Sequence, residues 1–187
     1  PGFLVNRILI PYLFESALMY QEGIPAPVID KAATDFGMPM GPMELVDTIG
    51  LDVCVAAGES MHKNMPEIIV NMVKNGKLGK KSGQGVYTYR DGKPIKARID
   101  TAQKYPDDIS DRLVMAIVNE SAACLREGIV SDADLVDAGM VFGAGFAPFR
   151  GGPMEYAAEQ HKANIKTRLE ALSSRYGSRF DADPAWS

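Results

Sequence analysis

Three groups of residues have the types and spacings from which a binding or catalytic site is built. Asn6 lies among Phe3, Leu4, Val5, Ile8 and Leu9, in the first turn of what reads as an apolar helix. A neutral amide there must find hydrogen-bond partners. It either caps the helix or bonds a loop carbonyl, or it aims a donor into a cleft at a substrate carbonyl. In the second group, Lys77, Lys80 and Lys81 alternate with Gly76, Gly79, Gly83 and Gly85. That pattern is a solvated, flexible turn, or a lysine loop placed against an anionic ligand, with glycines permitting close backbone approach. The third group is Phe149-Arg150-Gly151-Gly152-Pro153, leading to Tyr156. It is helix-start packing, or it presents a tyrosine hydroxyl to a ligand.

Other chemistries lack their residues. His62 and His161 have no Cys or His at ligand spacing, so each reads as a surface or helix-flank histidine and no metal site is expected. No Gly-x-Ser-x-Gly elbow occurs. Gly79-Lys80-Lys81-Ser82 resembles the end of a phosphate-binding P-loop, but position 74 is Lys where glycine is needed. Gly143-x-Gly145 is followed by Pro148 in place of a third glycine, so no dinucleotide fingerprint is present.

These residues must be positioned by helices. Ile8, Leu9, Tyr12, Leu13, Ala17 and Tyr20 recur at three- and four-residue steps up to Gly23, with Pro11 predicting a kink or a first turn at that point. Further helices are expected over Pro27–Phe36, from Pro42 to Gly50, over Asp52–Met61 and over Pro66–Lys74. In the second half they are expected over Arg112–Glu127, Asp132–Val141, Pro153–His161 and Ala163–Ser174. Val86-Tyr87-Thr88-Tyr89 is the one clear strand pattern. The chain also repeats itself. Arg7, Glu15, Ser16, Ala17, Glu22, Gly23 and Ile24 return as Arg112, Glu120, Ser121, Ala122, Glu127, Gly128 and Ile129. Phe36-Gly37 returns as Phe142-Gly143, and Gly41-Pro42-Met43-Glu44 as Gly152-Pro153-Met154-Glu155. The reading is all-α: a first repeat over 1–90, a polar linker over 91–108 and a second repeat over 109–187.

Composition sets the outer bounds. The 187 residues correspond to about 1.2 domains. A hydrophobic share of 46% and a mean hydropathy of -0.09 exclude a disordered chain. The formal net charge of -4, with neither half basic, gives no footprint for nucleic acid. No apolar run is long enough for a membrane span, and no signal segment is visible. Two cysteines, Cys54 and Cys124, suggest a reduced, cytoplasmic setting. The start at Pro1 without Met reads as an excised part of something longer.

The same strings carry a family resemblance. Pro1-Gly2-Phe3-Leu4-Val5-Asn6-Arg7-Ile8-Leu9-Ile10-Pro11-Tyr12-Leu13 resembles the opening of the C-terminal domain of L-3-hydroxyacyl-CoA dehydrogenases. Pro39-Met40-Gly41-Pro42-Met43-Glu44-Leu45 through Asp47 and Gly50 is similar to the same domain, as is Gly79-Lys80-Lys81-Ser82-Gly83-Gln84-Gly85-Val86-Tyr87. Val118-Asn119-Glu120-Ser121-Ala122 and Phe149-Arg150-Gly151-Gly152-Pro153 resemble the extra repeat of multifunctional fatty-acid oxidation α subunits. The likeness covers about residues 1–160, and the tail from Ala163 carries no recognised motif.

The resemblance implies two tandem repeats of the 6-phosphogluconate-dehydrogenase-C-terminal-like type, packed as a pseudo-dimer through the long helices near Arg7 and Arg112. It implies oxidation of L-3-hydroxyacyl-CoA to 3-ketoacyl-CoA with NAD, using a His–Glu pair on a preceding Rossmann domain absent from this sequence. It places Asn6 at the reacting centre as a catalytic and substrate-binding residue, Lys81 near the cofactor and Tyr156 on the substrate. Acyl-CoA, NAD and a thiolase subunit follow as partners of the full-length enzyme, while the isolated chain is expected to be inactive. Only the first copy has the asparagine, since Asp111 precedes Arg112 where Asn6 precedes Arg7. The competing expectation is a non-catalytic helical scaffold sharing the fold.

Overall fold

A computed structural model describes residues 3–60 and 64–187, so His62 and the expected end of a helix at Met61 lie outside the described residues. The chain forms two compact units. One takes residues up to Tyr12, Phe36–Pro39 and Asp108–Ser187; the other takes Leu13–Asp35 and Met40–Asp107. The break near residue 108 falls at the end of the stretch read as a linker. The units do not otherwise follow the repeats, because the opening turns of the first helix group with the second copy.

Both units are helical, and most helices lie where periodicity puts them. Helix α1 runs Phe3–Gln21 with Pro11 inside it, so no helix starts at the proline. The proline removes the donor that would reach the Arg7 carbonyl, and the helix continues past the missing bond. Its apolar steps are used as expected: Ile8, Tyr12, Leu13 and Ala17 are all buried. In the unit containing Leu13–Asp35 and Met40–Asp107, α2 (Ala26–Phe36), α3 (Pro42–Ile49), α4 (Leu51–Ser60) and α5 (Glu67–Lys74) follow. Met43, Val46, Leu51 and Ile69 form part of its core. A two-stranded antiparallel hairpin, β1 (Thr88–Arg90) and β2 (Lys93–Ile95), turns at Asp91-Gly92. Both turn residues have positive φ, the signature of a two-residue I′ loop. The strand expected over Val86–Tyr89 begins two residues late because the Val86 and Tyr87 amides donate to the Asp47 carboxylate instead of to a strand. β2 lies inside the stretch read as polar linker.

In the other unit α6 (Ile109–Arg126), α7 (Ala133–Ala144), α8 (Pro153–Glu159) and α9 (Lys162–Tyr176) surround Leu113, Ile117, Val136, Phe146 and Ile165. The duplication shows in local geometry. Both long helices end in Glu-Gly-Ile with the glycine at positive φ. Ile24 donates to the Met19 carbonyl and Ile129 to that of Cys124, each at 3.0 Å, which closes the last turn of either helix. The Phe-Gly pair is not structurally equivalent in the two copies. Phe36 is buried and Gly37 follows α2 at φ 120°, whereas Phe142 is 89% exposed and Gly143 lies within the longer α7. Gly145 ends α7 in its place.

The tail without a motif is ordered by Asn119 on α6. Asn119 donates to the Asp181 carbonyl and accepts from the Asp183 amide and the Trp186 indole N–H. Asp183 also pairs with Arg126 at 2.8 Å, which holds its carboxyl below the usual carboxylate range. A carboxylate with a lowered folded pKa stabilises the docked tail above the ordinary range, and that contribution is lost as pH falls through the folded value. Acid titration should therefore shift the emission of Trp186, the single tryptophan, to the red. Asp183→Asn should show the red-shifted emission already at neutral pH. A variant with wild-type emission and an unchanged titration would contradict the role given to this pair.

Candidate functional site

Asn6 and Arg7 share the opening turns of α1 but point to different surroundings. The Arg7 guanidinium bonds Glu120 on α6 at 2.7 Å and Glu127, just past its end, at 2.6 Å, and the pairing holds the Glu127 carboxyl below its ordinary value. These bonds join the opening turns of α1 to the C-terminal part of α6. Asn6 is exposed, and its side chain makes no hydrogen bond among the described residues. The expectation of a buried amide is corrected here. α1 is apolar on several sides, and Phe3, also exposed, lies one turn before Asn6. Neither a cap nor a loop contact uses the amide, so both N–H donors and the carbonyl oxygen are free for a partner outside these residues.

The lysine loop is built onto α3. A Cβ on Gly79 or Gly85 would overlap Asp47, so these two glycines let the loop lie against the protein and not against a ligand. Asp47 in turn accepts the Val86 and Tyr87 amides, each at 2.8 Å. Lys81, in a 3-10 turn over Lys80–Ser82, places its ammonium 2.6 and 2.7 Å from the two oxygens of Asp52. Gly50 leaves room beside that ammonium, since a Cβ there would stand 3.2 Å from Nζ. Two of the three N–H bonds of Lys81 go to Asp52, and one remains. Lys80 is exposed without an ion pair among the described residues.

Support for this loop comes from Asp30, which sequence reasoning missed. The buried Asp30 carboxylate accepts the Met43 amide at 2.8 Å, the Tyr87 hydroxyl at 2.7 Å and the Lys96 ammonium at 3.3 Å. Lys96 also pairs with Glu44 at 2.6 Å. Burial pushes the Asp30 carboxyl above its usual range, against the pull of its bonds. Its counterpart Asp137 accepts the Met154 and Glu155 amides at the start of α8. A Cβ on Gly41 would overlap Asp30, and one on Gly152 would overlap Asp137. The repeated Gly-Pro-Met-Glu string is therefore a helix start that receives a carboxylate from the preceding helix, where the free amides and the helix dipole favour it. The signal was present in the sequence as an aspartate 107 residues apart in the two copies, within Val28-Ile29-Asp30 and Leu135-Val136-Asp137.

Tyr156 sits in an aromatic cluster. Its ring meets Phe36 edge-on at 5.3 Å, and it is 6% exposed. Arg150 lies over Phe36 at 4.1 Å and donates to the Phe36 carbonyl at 2.9 Å. The Tyr156 hydroxyl accepts from Arg168 at 3.1 Å. Of the Phe149–Pro153 string, Arg150 packs on this cluster and Gly152 makes room for Asp137, while Phe149 is 74% exposed. Asn6 and Tyr156 belong to one unit, and Lys81 belongs to the other. Cys54 and Cys124 are buried free thiols whose pKa values burial raises to about 12 and about 11. His161 is exposed at the start of α9, as a helix-flank residue. No group of His, Cys, Asp or Glu among the described residues is arranged to hold a metal ion. No helix among them is long and apolar enough to cross a membrane.

Comparison with known proteins adds context to this geometry. Residues 2–89 match the family described as 3-hydroxyacyl-CoA dehydrogenase, C-terminal domain. Fatty acid oxidation complex subunit alpha of Idiomarina loihiensis is 35% identical over 98% of this chain and 28% of its own length. Its Vibrio cholerae namesake is 34% identical over 96% and 27%. The chain thus spans little more than a quarter of these relatives. The dehydrogenase part of multifunctional enzyme 1 from C. elegans superposes with a TM-score of 0.75 at 27% identity, over 99% of this chain and 47% of that one. A 3-hydroxybutyryl-CoA dehydrogenase from Escherichia coli gives 0.76 at 23% identity, over 100% and 59%, and shows the shared fold.

Proposed function

From the match of residues 2–89 to the 3-hydroxyacyl-CoA dehydrogenase C-terminal domain family, we propose that the chain belongs to that family and forms one wall of the active-site cleft of an NAD-dependent L-3-hydroxyacyl-CoA dehydrogenase of fatty-acid β-oxidation. The observation that carries this reading is the exposed, unbonded amide of Asn6. A polar side chain left free among apolar neighbours is positioned for a partner from outside. In the cleft it donates to the oxygen at the reacting carbon, where the bond strengthens as the hydroxyl becomes a carbonyl. The other wall is a Rossmann domain whose His–Glu pair accepts the hydroxyl proton. NAD, when bound, takes up the hydride.

Within this chain Lys81 suits the cofactor. It keeps one free N–H on an exposed ammonium, a fit for a pyrophosphate or ribose oxygen. Tyr156 is the residue assigned to the acyl-CoA substrate. The names of the relatives support assembly into a fatty-acid oxidation complex; a thiolase as the partner subunit and the cytoplasm as the compartment belong to the proposal. Lys81→Ala in the full-length dehydrogenase should raise the KM for NAD about tenfold, the equivalent of one charge-assisted hydrogen bond. Its melting temperature should barely move, because exposed ion pairs contribute at most about 1 kcal/mol. An unchanged KM for NAD would remove Lys81 from the site.

A further inference from the structure

Arg168 comes from the tail helix α9, outside every recognised motif, yet it touches the one tyrosine assigned to substrate. Its Nε and Nη2 bond the two oxygens of Asp111, at 3.2 and 2.6 Å, a fork-on-fork pair that fixes the guanidinium plane. The remaining nitrogen, Nη1, donates to the Tyr156 hydroxyl at 3.1 Å. Burial works against the charge of this guanidinium, while Asp111 and Tyr156 hold it protonated.

Arginine has no acceptor, so the direction of the bond is settled. The Tyr156 oxygen receives a proton donor, and its own O–H hydrogen is left over. No acceptor for that hydrogen occurs among the hydrogen bonds of the described residues. We infer that Arg168, braced by Asp111, is a positioning residue that turns Tyr156 into an oriented donor toward an acceptor oxygen of the acyl-CoA substrate. The inference rests on the reading of Tyr156 as a substrate contact. It gives the second repeat a part in binding: Asp111, which stands where the first copy has Asn6, holds an arginine in place of acting on substrate directly.

The full-length dehydrogenase tests this through KM and kcat for acyl-CoA. Tyr156→Phe is expected to raise KM about tenfold with kcat retained, as loss of one donor does. Arg168→Ala should do the same, and the double variant should be no worse than either single one, since both remove one interaction. Arg168→Lys should recover part of the loss. Asp111→Asn keeps the volume and carries the same test if Arg168→Ala does not fold: a raised KM supports the inference, and an unchanged KM overturns it. If Tyr156→Phe raises KM while Arg168→Ala leaves it unchanged, Arg168 is structural only. If Tyr156→Phe itself has no effect, the substrate reading of Tyr156 fails instead.

Discussion

Replacing Asn6 by alanine in the full-length dehydrogenase is expected to lower kcat about a hundredfold, the usual consequence of losing one oriented donor at a reacting oxygen. The fall should appear equally in kcat and kcat/KM, because the proposed bond is strongest in the transition state. Stability should not fall with it. The Asn6 side chain bonds nothing among the described residues, and alanine is a better helix former by up to about 0.7 kcal/mol. Steady-state kinetics together with thermal melting separate the two effects. A kcat within about twofold of wild type would reduce Asn6 to a surface residue.

Asp30→Ala should produce the largest loss of stability, about 3–5 kcal/mol by equilibrium unfolding. The substitution leaves the Met43 amide, the Tyr87 hydroxyl and the Lys96 ammonium without their shared acceptor. Asp30→Asn should cost less, because the charge contributes little. Burial raises the Asp30 carboxyl, so its own contribution to stability is fully present below the ordinary carboxylate value and is lost as pH rises through the folded one. The amide oxygen still accepts from Met43. Asp35, whose exposed carboxylate pairs with Lys31 one turn earlier and with no other cation among the described residues, provides the contrast. Asp35→Ala should change stability by about 0.5 kcal/mol or less. Equal losses at Asp30 and Asp35 would contradict the bracing role of the buried carboxylate.

Helices were legible because their ends are written locally. Gly23 and Gly128 close the long ones, and Pro42 and Pro153 open the short ones. What sequence hid was set by tertiary contact. The capping carboxylates at Asp30 and Asp137 lie far from the amides they serve, so no local cap pattern marks them. The orientation of Asn6 was illegible because α1 is apolar on several sides around it, with the exposed Phe3 one turn before. The glycines of the lysine loop suggested approach to a ligand, but two of them make room for Asp47. Tail docking depends on Asn119 and Arg126, inside a helix that reads as ordinary.

A cleft with one wall in this chain is tested most directly by comparing the chain alone with the full-length dehydrogenase, following reduced-nicotinamide formation from L-3-hydroxyacyl-CoA and titrating NAD calorimetrically. The full-length protein should turn over, while the chain alone should form no reduced cofactor and bind NAD weakly or not at all. Micromolar NAD affinity, or turnover by the isolated chain, would contradict it.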